Sequence, residues 1–238
     1  RLGIPVDFSN EGIHGLNHDR ATPLPAPIAI GSTWNAALVR QAGEIVGREA
    51  KALGYTNVYA PILDLARDPR WGRTEESYGE DAFLTARLTV ANIKGLQGDN
   101  PRYWRTAALM KHFLANSNED RRDSTSSNFD MRLFYEYYAY PFYKGITEGE
   151  SHAFMAAYNG WNGPAMCVHP CLKEITRDKW GNNGIICTDG GALNLLVKAH
   201  KAFPTMTEGA AAVVKASVGQ FLDFFKPYIY EALKKDIL

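Results

Sequence analysis

The chain has 238 residues, enough to bury a large core in one domain. Lys and Arg number 26, as do Asp and Glu, so the formal net charge is zero, and without a basic stripe a nucleic-acid partner is not indicated. The longest apolar runs are strand-length, so no membrane span is read.

Leu2–Phe8 reads as a strand ending in Ser9, Asn10 and Glu11. Glycines and Pro23, Pro25 and Pro27 then mark an irregular loop. Ser32 or Thr33 can cap a helix from Trp34 to Leu53, with Leu38, Ala42, Ile45, Val46 and Ala50 at helical spacing and Gly54 as the stop. Val58–Leu63 is the next strand. It leads to Asp64 and a loop dense in charge, with Arg67, Asp68, Arg70, Arg73, Glu75 and Glu76. A helix over Glu80–Leu96 follows. Ala107–Phe113 is a strand carrying Lys111 and His112 at its end, and a polar stretch runs over Asn116–Asn128. Asp130–Thr147 reads as one aromatic-rich helix, and Ala153–Ala157 as a strand leading to Tyr158 and Asn159. A short helix at Leu172–Lys179 precedes the stretch Gly184–Gly191, in which Ile185–Thr188 form an unbroken run and Asp189 stands at its end. Helices over Leu193–Lys201 and Thr207–Ala216, a strand over Gln220–Phe224 and a helix over Tyr228–Lys235 complete the chain.

Strands alternate with helices, the signature of βαβ units and a parallel sheet. The unbroken apolar strands read as buried on both faces. The fold class is α/β, a (β/α)8 barrel that is incomplete, with six strands readable. Residues 1–238 form a single barrel domain.

The polar residues gather at the C-terminal ends of these strands: Glu11, Asp64, Lys111, His112, Tyr158 and Asp189. In a parallel barrel those ends share one face, where chemistry sits. Asp189 has a plainer reading as the cap of the following helix. His112 could be structural and Lys111 a strand-end charge. Arg67, Asp68 and Arg70 read as a structural ion-pair network, and Trp71 as core.

Cys167, Cys171 and Cys187 are too few for a disulfide framework. Cys187 falls in the buried run, where an inert thiol is expected; Cys167 and Cys171 could pair in an oxidising compartment. His169 lies between those two, but no further His–Cys group completes a metal set. GNNG and GDNP match no nucleotide fingerprint, so no cofactor is indicated. A pocket of acids, Lys, Arg and His suits a sugar, whose hydroxyls need fixed charged donors and acceptors. Cleaving a glycosidic bond needs a carboxylate at the anomeric carbon and an acid on the leaving oxygen.

Five segments carry a resemblance. LGIPVDFSNEGIHG, PILDLARDPRWGRTEESYGED, MKHF, MAAYNGWNG and GIICTDGG are similar, in order, to segments of the catalytic barrel domain of family 3 glycoside hydrolases, the β-glucosidase and β-xylosidase family. The resemblance implies a retaining, exo-acting β-glycosidase, most simply a β-glucosidase, with β-xylosidase as the alternative. It implies Asp189 as nucleophile, and Lys111, His112, Arg73 and Glu11 as ligands of the sugar ring. Tyr158 matches a tyrosine beside the nucleophile, and Met155 a methionine lining the pocket. His14 and Asn17 may be read only as shaping that pocket. Some of Glu119, Asp120, Arg121, Arg122 and Asp123 should face it, but the sequence does not pick which. The family also implies a secreted or periplasmic location.

Three departures stand out. The family's Trp after the nucleophile is Gly190 here. The general acid/base commonly sits in a second, C-terminal domain, and nothing in this chain supplies it. LANSNEDRRDS lacks the glycine-flanked histidine of the β-N-acetylglucosaminidase branch. The family's first strand and helix before LGIP are not seen, which implies a truncated chain. The expectation is a barrel that partners a second domain, or a catalytically incomplete sugar-binding fragment, with exposed sheet edges prone to self-association.

Overall fold

A parallel sheet requires a crossover of helical length between neighbouring strands, and the alternation along this chain provides one each time. The computed structural model describes Gly3 and residues 5–238. Its strands are β1 (Ser9–Glu11), β2 (Asn57–Tyr59), β3 (Ala107–Phe113), β4 (Ser126–Ser127), β5 (Ala153–Ala156), β6 (Gly160–Trp161) and β7 (Ile185–Thr188). Its α-helices are α1 (Pro27–Gly31), α2 (Ala36–Leu53), α3 (Ala82–Gln97), α4 (Met131–Leu133), α5 (Tyr140–Thr147), α6 (Ala192–Lys198), α7 (Met206–Lys215) and α8 (Lys226–Lys234). One parallel sheet runs in the order β1-β2-β3-β5-β7, the sequential order of a barrel wall, and it is not closed. β4 and β6 pair separately, in a short ribbon beyond the wall.

The wall is buried on both sides. Leu109, Ala153, Met155 and Cys187 form a cluster on its inner face, against Tyr59 and Leu222. Met110, Phe113, Phe154 and Ile186 face outward into the main core beneath the helices. This is why the strands read as continuous apolar runs. The two long helices α2 and α3 touch through glycines: a Cβ on Gly47 would lie 2.4 Å from the Leu96 carbonyl oxygen, and one on Gly95 2.3 Å from that of Arg40. Cys167, Cys171 and Cys187 are free, buried thiols.

Several boundaries differ from the prediction. Leu2 and Ile4 of the predicted first strand lie outside the described residues. Val6 and Phe8 are 66% and 57% exposed, and the strand instead comprises Ser9–Glu11. Those polar residues point into the polar end of the sheet, where Ser9 Oγ meets Tyr59 Oη at 2.6 Å, so hydropathy hides them. Ser32 and Thr33 do not cap α2. Their hydroxyls donate back to the Ile28 and Ile30 carbonyls, and Asn35 accepts the Leu38 N–H instead. The predicted helix Asp130–Thr147 is interrupted by a π-helical turn at Phe134–Tyr138, and Pro141 sits in the first turn of α5, where a missing N–H is harmless. Gln220–Phe224 is not a strand. Gln220 alone bridges to Cys187, and the next residues turn to hold the end of β7.

Candidate functional site

The predicted site residues sit at the C-terminal ends of neighbouring strands. β1 delivers Glu11 and β3 delivers Lys111 to the same inner face. Lys111 Nζ donates to both Glu11 carboxylate oxygens, at 2.8 and 2.6 Å. The lysine side chain is only 3% exposed, and a buried ammonium needs such a partner. The β3–β5 register shifts between Met110 and Phe113, and at this irregularity consecutive Lys111 and His112 both turn toward the site.

His112 is held from beneath. Its backbone N–H and its ring Nδ1 both donate to Asp64 Oδ2, at 3.0 and 2.7 Å. Asp64, at the end of the β2 segment, has a fully buried side chain. The partners assign the tautomer: with the proton on Nδ1, Nε2 accepts from Arg73 Nη1 at 3.3 Å. The same Nε2 lies 3.8 Å from Asp189 Oδ2.

Arg73 projects from the charged loop and is clamped by Glu76 in a fork, Nε to Oε1 at 2.9 Å and Nη2 to Oε2 at 2.7 Å. Burial works against both charges. It pushes the Glu76 carboxyl up, but the hydrogen bond and charge of Arg73, with Lys111 and His112 beyond, hold it below its usual value. Burial likewise works to lower the Arg73 guanidinium, and Glu76, Asp64 and Asp189 together raise it. The sign of the linkage follows. A depressed carboxyl stabilises the fold above its unfolded value of 4.5, and that contribution is lost as pH falls through the folded value. Urea unfolding of wild type and Glu76→Gln should therefore differ above pH 4.5 and converge in stronger acid. A separation that stays constant from pH 7 into strong acid would show that the difference does not come from the Glu76 charge, and superimposed curves that the clamp adds no stability.

Asp189 follows Thr188, the last residue of β7. Its Oδ1 accepts the Gly190 N–H at 2.7 Å, while Oδ2 is buried with no hydrogen-bond partner among the described residues. Asp189 does not cap α6; that position is Gly191, in the left-handed region at φ 78°. Tyr158 donates to the Gly190 carbonyl at 2.6 Å. Burial first, then the Asp189 charge, pushes its phenol up to about 12, so it stays a neutral donor. Met155 is 2% exposed and pairs in register with Cys187. It forms the apolar floor two residues below Asp189.

Among the other singled-out residues, the predicted Arg67–Asp68–Arg70 network is reduced. Asp68 and Arg70 pair at 2.6 Å in solvent, with Arg70 89% exposed, whereas Arg67 bonds the Tyr138 hydroxyl instead. Trp71 is core. His14 pairs with Glu75, and the Asn17 carbonyl accepts from Asn10. Both line a cavity of about 550 Å³ beside Glu11. From the loop after His112, Arg122 stacks its guanidinium 5.4 Å over the Tyr158 ring, and Glu119 accepts the Gly72 N–H. The sequence places Asp64 among the strand-end polar residues but not as the partner of His112, and it does not single out Glu76 or Arg122 from their charged neighbours. The i, i+3 spacing of Arg73 and Glu76 is a usable signal; nothing distinguishes Arg122 from its charged neighbours. Among the described residues no group of three or more His, Cys, Asp and Glu could hold a metal ion.

The chemistry available is a carboxylate with one oxygen that has no partner among the described residues, ringed by paired cations, a histidine and a phenol. The chain is 36% identical over 230 residues to a β-xylosidase of Formosa agariphila, covering 92% of this chain and 32% of that protein. It is 33% identical to a periplasmic β-glucosidase of Salmonella typhimurium, covering 98% of this chain and 30% of that one. The crystal structure of a β-glucosidase from Listeria innocua superposes with a TM-score of 0.90 at 29% identity, over 100% of this chain and 33% of the other. The chain thus spans about a third of the length of the curated relatives it matches. Residues 1–234 match the model of the glycosyl hydrolase family 3 N terminal domain, and the chain belongs to that family.

Proposed function

We propose that this chain is the nucleophile-bearing barrel domain of a retaining, exo-acting β-glycosidase that removes terminal β-D-glucosyl residues. The observation that carries the reading is the placement of Asp189, a carboxylate with one oxygen that has no partner among the described residues, next to His112, whose strand also delivers Lys111 to Glu11. Glu11, Lys111, His112 and Arg73 bind the hydroxyls of the terminal sugar, and Met155 lies beneath the ring. The Asp189 carboxylate attacks the anomeric carbon as the bond to the leaving oxygen breaks. That oxygen takes a proton from a general acid, and water then cleaves the glycosyl ester, giving its proton to the conjugate base and regenerating the carboxylate. Tyr158, neutral and donating to the carbonyl of Gly190, fixes the backbone beside the attacking group.

The acid belongs to a second domain of a longer parent protein; relatives about three times the length of the matched region support that assignment. A β-xylosidase is the second reading, supported by the name of the 36% identical relative. The test is intact mass after exposure to 2-deoxy-2-fluoro aryl β-glucoside and, separately, to the xyloside. Faster labelling by the glucoside is expected. Faster labelling by the xyloside selects the second reading, and labelling by neither leaves a sugar-binding module without the chemistry.

A further inference from the structure

We infer that Asp223 is a positioning residue for Asp189, tying together the two sides of the turn that carries it. The inference rests on the proposed role of Asp189. Asp189, Gly190 and Gly191 link β7 to α6, and two glycines give this turn little stiffness of its own. The segment after α7 supplies it. The Gln220 carbonyl accepts the Thr188 N–H at 2.9 Å, and that of Leu222 accepts the Gly191 N–H at 3.4 Å. The Leu222 N–H donates to Thr188 Oγ1 at 2.9 Å, and that hydroxyl donates onward to Asp223 Oδ2 at 3.5 Å. The same Oδ2 accepts the Leu193 N–H at 3.2 Å. One carboxylate oxygen thus receives the residue before Asp189 and the residue four after it.

This placement is costly. Burial, with the charge of Asp189 adding to it, pushes the Asp223 carboxyl above its usual value. An apolar residue of similar size would avoid that cost, but it would leave the Leu193 N–H and the Thr188 hydroxyl without an acceptor. Asn keeps a carbonyl oxygen at the same place. The geometry therefore separates the two substitutions.

The test compares Asp223→Leu with Asp223→Asn in the whole protein that carries this chain. Asp223→Leu should lower kcat on an aryl β-glucoside by roughly 10–100-fold, the cost of a misplaced reacting group, with KM changed less than about 3-fold. Asp223→Asn should restore kcat to within about 3-fold of wild type, because the acceptor survives. Hydrogen exchange supplies a readout without turnover: the Leu193 amide should lose about 10-fold or more of its protection in Asp223→Leu and keep it in Asp223→Asn. Wild-type kcat in Asp223→Leu, equal damage in both variants, or unchanged Leu193 protection would each overturn the inference. An inactive wild type would count against the proposed function alone, since the exchange result still decides the role of Asp223.

Discussion

Asp189→Ala is expected to lower kcat on an aryl β-glucoside by at least about 10³-fold, the scale of losses when a nucleophile is removed. The neighbouring acids are held by partners of their own. Glu11 is bonded to Lys111 through both oxygens, Glu76 to Arg73 through both, and Asp64 receives two donors from His112. The fold should not suffer. The Asp189 side chain is 15% exposed, and its buried Oδ2 has no partner among the described residues, so the native carboxylate bears a desolvation cost that Ala relieves. We expect the variant to unfold in urea at a midpoint equal to or above that of wild type, the trade-off common at active sites. Mass spectrometry checks the chemistry directly. The fluoroglucosyl adduct should form on wild type and be absent from Asp189→Ala. An adduct on the variant would move the nucleophile elsewhere.

Asp64→Ala should be damaging in a different way, through both stability and turnover. Asp64 Oδ2 is the acceptor for the backbone N–H and the ring Nδ1 of His112, and both groups are buried. Removing that acceptor leaves two buried donors unsatisfied, at a cost of about 1–3 kcal/mol each. The ring is then released from its tautomer, and Nε2 loses its fixed relation to Arg73 and Asp189. Urea unfolding gives the first quantity and kcat/KM the second. We expect kcat/KM to fall about 10–100-fold, in the range seen when an outer partner of a site histidine is lost. A variant as stable and as active as wild type would mean that His112 is positioned by its own packing.

The strands and long helices were legible because their signals are local. β3 matches its predicted bounds, and β5 and β7 fall within a residue of theirs, since a strand covered on both faces must be apolar throughout. β1 was misplaced because its inner face is functional, and Ser9 and Glu11 look like loop residues to any hydropathy argument. The break at Phe134–Tyr138 was invisible because the aromatic residues keep an apolar face across the π-turn. The site residues were legible as strand-end polar groups, and the resemblance named them. Their partners were not. Asp64 and Asp223 act on residues 48 and 30 positions away, and a single sequence carries no record of which distant donor a carboxylate meets. Arg67 shows the converse: its neighbour Asp68 looked like its partner, yet Arg67 crosses to Tyr138.

The pairing of the site cations has a consequence for ligand entry. Lys111 and Arg73 each come with a carboxylate from the same chain, Glu11 and Glu76. An uncharged sugar can therefore dock without expelling a mobile counter-ion from bulk solution, and its contacts form well inside the roughly 8 Å over which physiological salt screens exposed charge. Affinity for such a ligand is then set by hydroxyl geometry and should stay nearly flat as ionic strength rises, so the same site would serve in dilute and in saline surroundings.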